Sequence, residues 1–147
     1  MKPEDRMAIA DIVARYADAV NATDAVAWGA TWAEECTWDL GPDRVLHGRD
    51  EVVAFWQVAM ASFESVVHVV GHGHARDEGG GAAGSWTLFE VNRRAGANGI
   101  VIGHYRDRYV QHEHGWLFAE RRFATLYRGS LPDGVFTAVC SLTGPDQ

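Results

Sequence analysis

The chain has 147 residues, 47% hydrophobic and 22% charged, which suits one domain with one core and argues against a disordered chain. A net charge of −7 with no block of Lys or Arg excludes nucleic acid and an anionic membrane surface as the expected main partners. Two distant cysteines, Cys36 and Cys140, form neither a disulfide framework nor a metal motif. The charged start, Met1-Lys2-Pro3-Glu4-Asp5-Arg6, lacks the apolar stretch of a signal peptide, and no apolar run is long enough to span a bilayer. A soluble, cytoplasmic protein is expected.

Pro3, Glu4 and Asp5 open a first helix, with proline in the first turn and acids favoured by the helix dipole. Ile9, Ile12, Val13, Tyr16 and Val20 follow at helical spacing, and the helix should end near Asn21-Ala22. Thr23 or Asp24 caps a short second helix reaching Trp28 and Trp32. Cys36 to Leu40 reads as a short strand, and Gly41-Pro42-Asp43 as a turn. A third helix follows His47-Gly48-Arg49-Asp50, with Asp50 as N-cap and an apolar side running from Val52 to Phe63. From residue 65 the period becomes two. Strands are expected at about 65–76, 83–94, 100–112 and 115–128, joined by short glycine-containing links into an antiparallel meander. The tail, 129–147, holds an apolar stretch, Val135 to Val139, suited to a further strand, a lid or an oligomer contact. Helices first and then a long sheet is an α+β layout. A curved sheet wrapped on an amphipathic helix makes a cone with an apolar cavity, and such cavities bind small molecules.

Within that layout His68 stands out, set in the run Ser65-Val66-Val67-His68-Val69-Val70-Gly71-His72-Gly73-His74. An ionisable ring on a buried strand face needs a partner or a purpose. Strict alternation puts His68, Val70, His72 and His74 on one side. No cysteine and no H-E-x-x-H helix joins these histidines, so no metal site is expected. Trp38, Trp56, Met60 and Trp86 read as core or pocket lining.

Ala14-Arg15-Tyr16-Ala17-Asp18-Ala19-Val20-Asn21 with Thr23-Asp24 and Trp28 resembles the first helices of SnoaL-like proteins of the nuclear-transport-factor-2-like superfamily. His47-Gly48-Arg49-Asp50, His68 and Gly103-His104-Tyr105-Arg106-Asp107-Arg108-Tyr109 followed by Gly115-Trp116 resemble later parts of the same pattern, over about residues 4–128. The resemblance implies a cone-shaped α+β barrel: three N-terminal helices on a curved, mostly antiparallel sheet in a single domain. It also implies a site without cofactor or metal, a small hydrophobic ligand and a homodimer.

The nearest enzyme patterns are those of scytalone dehydratase and bile-acid 7-alpha-dehydratase. They imply catalytic roles for Tyr16 and His68, while the helix-one aspartate of that pattern is replaced by Asn21. Glu90, four residues after Trp86, matches a carboxylate position, and His104 loosely matches a second histidine. A late-strand arginine has no counterpart, Thr125 lying nearest its place. The expected activity is a cofactor-independent lyase or isomerase, dehydratase-like, on a small cyclic, polyketide- or steroid-like molecule. His68 would be the acid or base, Tyr16 an oxygen donor and Glu90 the orienter or second acid–base group. Asn21, Trp38, Trp56, Met60, Trp86 and His104 are the candidate substrate contacts. The alternative is a non-catalytic ligand-binding domain of the same fold, which Asn21 in place of the aspartate and the missing arginine both favour. An epoxide hydrolase is a third reading, but the Asp/Arg/Asp arrangement that chemistry wants is not evident.

Overall fold

The computed structural model describes residues 1–135 and 137. The elements run α1 (Pro3–Ala22), α2 (Ala25–Gly29), β1 (Trp32–Asp39), β2 (Val45–His47), α3 (Arg49–Ala61), β3 (Ser65–Glu78), β4 (Gly81–Arg94), β5 (Ala97–His112) and β6 (Gly115–Leu131). The strands form one sheet in the order β2-β1-β6-β5-β4-β3. All pairings are antiparallel except β1 with β6. The α+β cone with three helices on a curved sheet is therefore the fold. Among the described residues no helix is long and apolar enough to cross a membrane. Most of the apolar tail, including Cys140, lies outside the described residues.

α1 lays Ile9, Ile12, Val13, Tyr16 and Val20 against the concave face, all at most 4% exposed. It ends where Thr23 turns left-handed (φ 54°). Asp24, not Thr23, caps α2, accepting from the N–H groups of Val26 (3.0 Å) and Ala27 (2.9 Å). α2 stops at Gly29, so Trp32 opens β1 rather than closing a helix. The tryptophan spacing looked helical because packing, not period, sets it. Trp28 stacks on Trp56 at 4.7 Å and meets Trp32 and Trp38 at 5.4 and 5.3 Å. Burying such rings contributes about 1.5–3 kcal/mol each, more than a five-residue helix gains from its own backbone. α3 is entered through Gly48 (φ 80°), which takes the N-cap place expected of Asp50; Asp50 lies in the first turn instead. β2, a three-residue strand absent from the sequence reading, pairs with β1.

Bulges decide which side chains face inward. β3 carries one extra residue between Val70, opposite Leu88, and Gly73, opposite Trp86. An extra residue inverts the alternation that follows it. His68, ahead of the bulge, is buried with Val70 on its side, while His72 and His74 are exposed, so the expected face does not extend to those two histidines. Gly73 now faces Trp86 so closely that a Cβ would lie 2.2 Å from the indole. β6 holds two extra residues, Ala119 and Leu126, where its register with β5 shifts. β5 itself pairs with β4 without a shift, so Tyr105, Asp107 and Tyr109 point inward and His104, Arg106 and Arg108 outward.

Candidate functional site

His68 and Glu90 are directly opposed across β3 and β4. The pairing brings His68 Nδ1 and Glu90 Oε2 to 3.2 Å. The other ring nitrogen, Nε2, lies 3.2 Å from the Tyr105 hydroxyl. An ionised carboxylate only accepts, which assigns the tautomer: Nδ1–H donates to Glu90, and Tyr105 O–H donates to Nε2. Glu90 is held in turn by Asn92 Nδ2, which donates to Oε1 at 2.8 Å.

Burial pushes the His68 pKa below its ordinary value, despite the pull of Glu90. Burial works against the Glu90 carboxylate too, but hydrogen bonds from His68 and Asn92 outweigh it and hold that pKa below normal. The resting pair is a neutral imidazole beside a carboxylate.

Asn21 does not touch the imidazole. Its Oδ1 accepts from the His68 backbone N–H at 2.7 Å, and its Nδ2 donates to the His68 carbonyl at 3.2 Å. This two-point clamp needs one acceptor and one donor. An amide supplies both, whereas an ionised carboxylate supplies only acceptors. The residue fixes where β3 presents its histidine.

Tyr16 lies beside His68 with ring centroids 5.9 Å apart, and edge-on to Tyr105 at 6.2 Å. Beneath both phenols is Arg121, fully buried, its guanidinium carbon 3.8 Å from the Tyr105 ring centre and 4.3 Å from that of Tyr16. Arg121 Nε and Nη2 each donate to the Asp107 carboxylate at 2.9 Å. Burial raises the pKa of Tyr16, opposed by the Arg121 cation, and raises that of Tyr105 further. Both phenols are therefore protonated hydrogen-bond donors in the resting site.

These groups border a cavity of about 170 Å³ between the helices and the sheet. Tyr16 and Val20 come from α1, Trp38 and Leu40 from the end of β1 and the residue after it, and Trp56, Met60 and Phe63 from α3 and the turn beyond it. The sheet adds His68, Leu88, Glu90, Val101, Tyr105, Phe123 and Arg128. Trp38, Trp56 and Met60 thus stand with His68, Tyr16 and Glu90. Trp86 and His104 do not. Trp86 is buried away from the cavity and donates to Tyr109 at 2.8 Å. His104 is on the outer face, 2.7 Å from the Ser85 hydroxyl, because β5 has no bulge of its own to turn it. A shallower depression of about 400 Å³ on the outer side is lined by charged residues including Arg76, Glu78, Arg106 and Arg122. Among the described residues no three His, Cys, Asp or Glu side chains gather to hold a metal ion.

Sequence reasoning missed Tyr105, Arg121, Asn92 and Arg128. Alternation along β5 set Tyr105 on the face opposite His104, and that signal was usable. Arg121 sits in Glu120-Arg121-Arg122, which reads as a solvated run; only the bulge at Ala119 turns its middle residue inward.

A SnoaL-like domain model matches residues 2–122. A comparison with curated protein sequences finds no match. Among solved structures, a candidate aromatic ring hydroxylase from Novosphingobium aromaticivorans is 22% identical, with a TM-score of 0.81 over 89% of this chain and 96% of that one. A candidate scytalone dehydratase from the same organism is 17% identical, with a TM-score of 0.79 over 96% and 93%. The hexachlorocyclohexane dehydrochlorinase LinA-type3 from Novosphingobium barchaimii LL02 is 12% identical, with a TM-score of 0.81 over 90% and 93%. At these identities the likeness is one of fold, and the fold serves several chemistries. The family model covers most of the chain, and the protein belongs to the SnoaL-like domain family.

Proposed function

We propose that the protein is a cofactor-independent lyase or isomerase that moves a proton on a small hydrophobic cyclic substrate. The observation that carries this reading is the His68 ring, bridged between Glu90 and Tyr105 at the wall of an apolar cavity. In the resting site Tyr105 occupies the Nε2 lone pair. A substrate carbonyl that draws the Tyr105 hydroxyl to itself frees that lone pair for a proton alpha to the carbonyl. The C–H electrons then enter the enolate, whose oxygen is stabilised by the Tyr105 and Tyr16 donors. The new imidazolium is stabilised by Glu90 and passes its proton to the leaving oxygen, or back to another carbon. Structural relatives described as dehydratases and a dehydrochlorinase favour elimination chemistry of this general kind.

The test is a panel of cyclic hydroxy-ketones with wild type and His68→Ala. Loss of about 10²–10⁴-fold in turnover is expected for removal of a general base. Undiminished turnover refutes the assignment. The second reading, a binding domain without turnover, is favoured by Asn21, whose amide serves the His68 backbone and brings no charge to the ring. Ligand binding with no product from any panel member supports it, and product formation ends it.

A homodimer through the outer sheet face also belongs to this proposal. Val69, Phe89, Ile102 and Tyr127 lie in one cross-strand row there, with Val69 50% and Tyr127 72% exposed. Light scattering at the monomer mass contradicts it.

A further inference from the structure

We infer that the cavity takes a one- or two-ring organic carboxylate, its rings among Trp38, Trp56 and Met60 and its carboxylate outward beside Arg128. Size is the first argument. A cavity of about 170 Å³ is close to the roughly 150 Å³ that encloses benzene. Pockets for drug-sized ligands run to about 300 Å³ or more. The space between the helices and the sheet thus suits a single ring or a fused pair better than a steroid.

Lining chemistry is the second argument. Three lining side chains carry ionisable or charged groups beyond the phenols: His68, Glu90 and Arg128. Glu90 has both oxygens engaged, one by His68 and the other by Asn92. Arg128 is solvent-exposed at the rim and acts on Glu90 through space, without a contact ion pair. A guanidinium in that position presents a planar pair of donors suited to a carboxylate. An anion there stays in water, so its desolvation cost is small.

The third argument is how Arg128 comes to face the cavity. Leu126 is the extra residue on β6 between Thr125, opposite Gly103, and Tyr127, opposite Ile102. Were residues 125–128 to pair without that bulge, each opposite one residue of β5, Arg128 would fall on the outer face. Bulges recur beside functional sites because they re-aim a side chain. The bulge thus gives this cavity an arginine at its rim, three residues beyond Thr125.

This inference rests on the cavity being the ligand site, as proposed above, and not on turnover. Isothermal titration calorimetry with 2-naphthoate and 2-naphthamide separates the two ideas, on wild type, Arg128→Gln and Arg128→Lys. Wild type should bind the carboxylate about tenfold more tightly than the amide, the gain expected of a charge-assisted contact at a wet rim. Arg128→Gln should abolish that preference by lowering the carboxylate affinity about tenfold more than the amide affinity, and Arg128→Lys should keep part of it. Equal wild-type affinities, or a preference that survives in Arg128→Gln, overturn the inference and leave the cavity reading standing. If neither probe binds wild type, both fail.

Discussion

Two polar centres are buried on the concave face, and they are built differently. Arg121 and Asp107 meet through two parallel 2.9 Å hydrogen bonds at essentially zero exposure, walled by Tyr16, Tyr105 and Phe118. His68 and Glu90 meet through one 3.2 Å contact, with the carboxylate 16% exposed and the pair bordering the cavity. The first centre has its partners fixed in geometry; its remaining nitrogen, Nη1, is buried without a hydrogen bond. In the second, only the Tyr105 hydroxyl holds the His68 Nε2 lone pair, and a ligand can draw that hydroxyl away. A buried charge held at two points holds structure, while a single-point pair beside empty space is available for chemistry.

Removing Arg121 should have the largest effect. Arg121→Met leaves Asp107 buried without its cation, and a loss of about 3–5 kcal/mol in urea unfolding is expected. Arg121→Met with Asp107→Leu should recover much of that loss; a single variant as stable as wild type breaks the comparison. Asn21→Asp comes next. It removes the donor to the His68 carbonyl and sets a carboxylate against it, for a loss of about 1–3 kcal/mol. Asn21→Ser, keeping one donor-acceptor group, should be milder. Unchanged stability in Asn21→Asp would show that the clamp contributes nothing.

Acid should act more gently and more selectively. The folded-state pKa of His68 lies below its ordinary 6.5. As pH falls through that ordinary value the unfolded chain takes up the proton first, so stability declines with acidification. Glu90, also lowered, adds a loss in a more acidic window, as pH falls below the ordinary carboxylate range. Melting temperatures from pH 7.5 to 5.5 should fall in wild type and fall less in His68→Gln. Identical slopes would mean that the imidazole is not held neutral by the fold. The smallest effect belongs to a pair outside both centres: Arg122 with Asp39, 2.7 Å apart and 59% exposed on the arginine side. Arg122→Ala should cost about 0–1 kcal/mol, and a cost near that of Arg121→Met would erase the distinction between buried and exposed pairs.

How much of this was legible in the sequence follows from the same geometry. α1 was readable because Ile9, Ile12, Val13, Tyr16 and Val20 keep helical period without interruption. The pairing of His68 with Glu90 was reachable from a match of spacing, and the register places the two residues opposite. Period two fails where a strand carries an extra residue. Strict alternation therefore assigns His72 and His74 the wrong face and hides Arg121 and Arg128 as inward groups. Nor does alternation tell depth along the cone. Trp86 points inward as its alternation requires, yet it meets Tyr109 and not the cavity. Asn21 stands beside His68, but the atoms it binds, a backbone N–H and C=O on another element, leave no mark in composition or spacing.

The extra residue at Leu126 has an evolutionary consequence. Leu126 is 58% exposed and contributes nothing to the core. Deleting it would remove the bulge and still leave Tyr127 opposite Ile102 and Arg128 opposite Val101, so the rim would keep its arginine. A single-codon deletion at this point is thus absorbed by the strand, and the mouth changes character by substitution at Arg128 instead. In a lineage of such chains, loss of one residue near this point of the last strand would leave the facing of the rim residue intact.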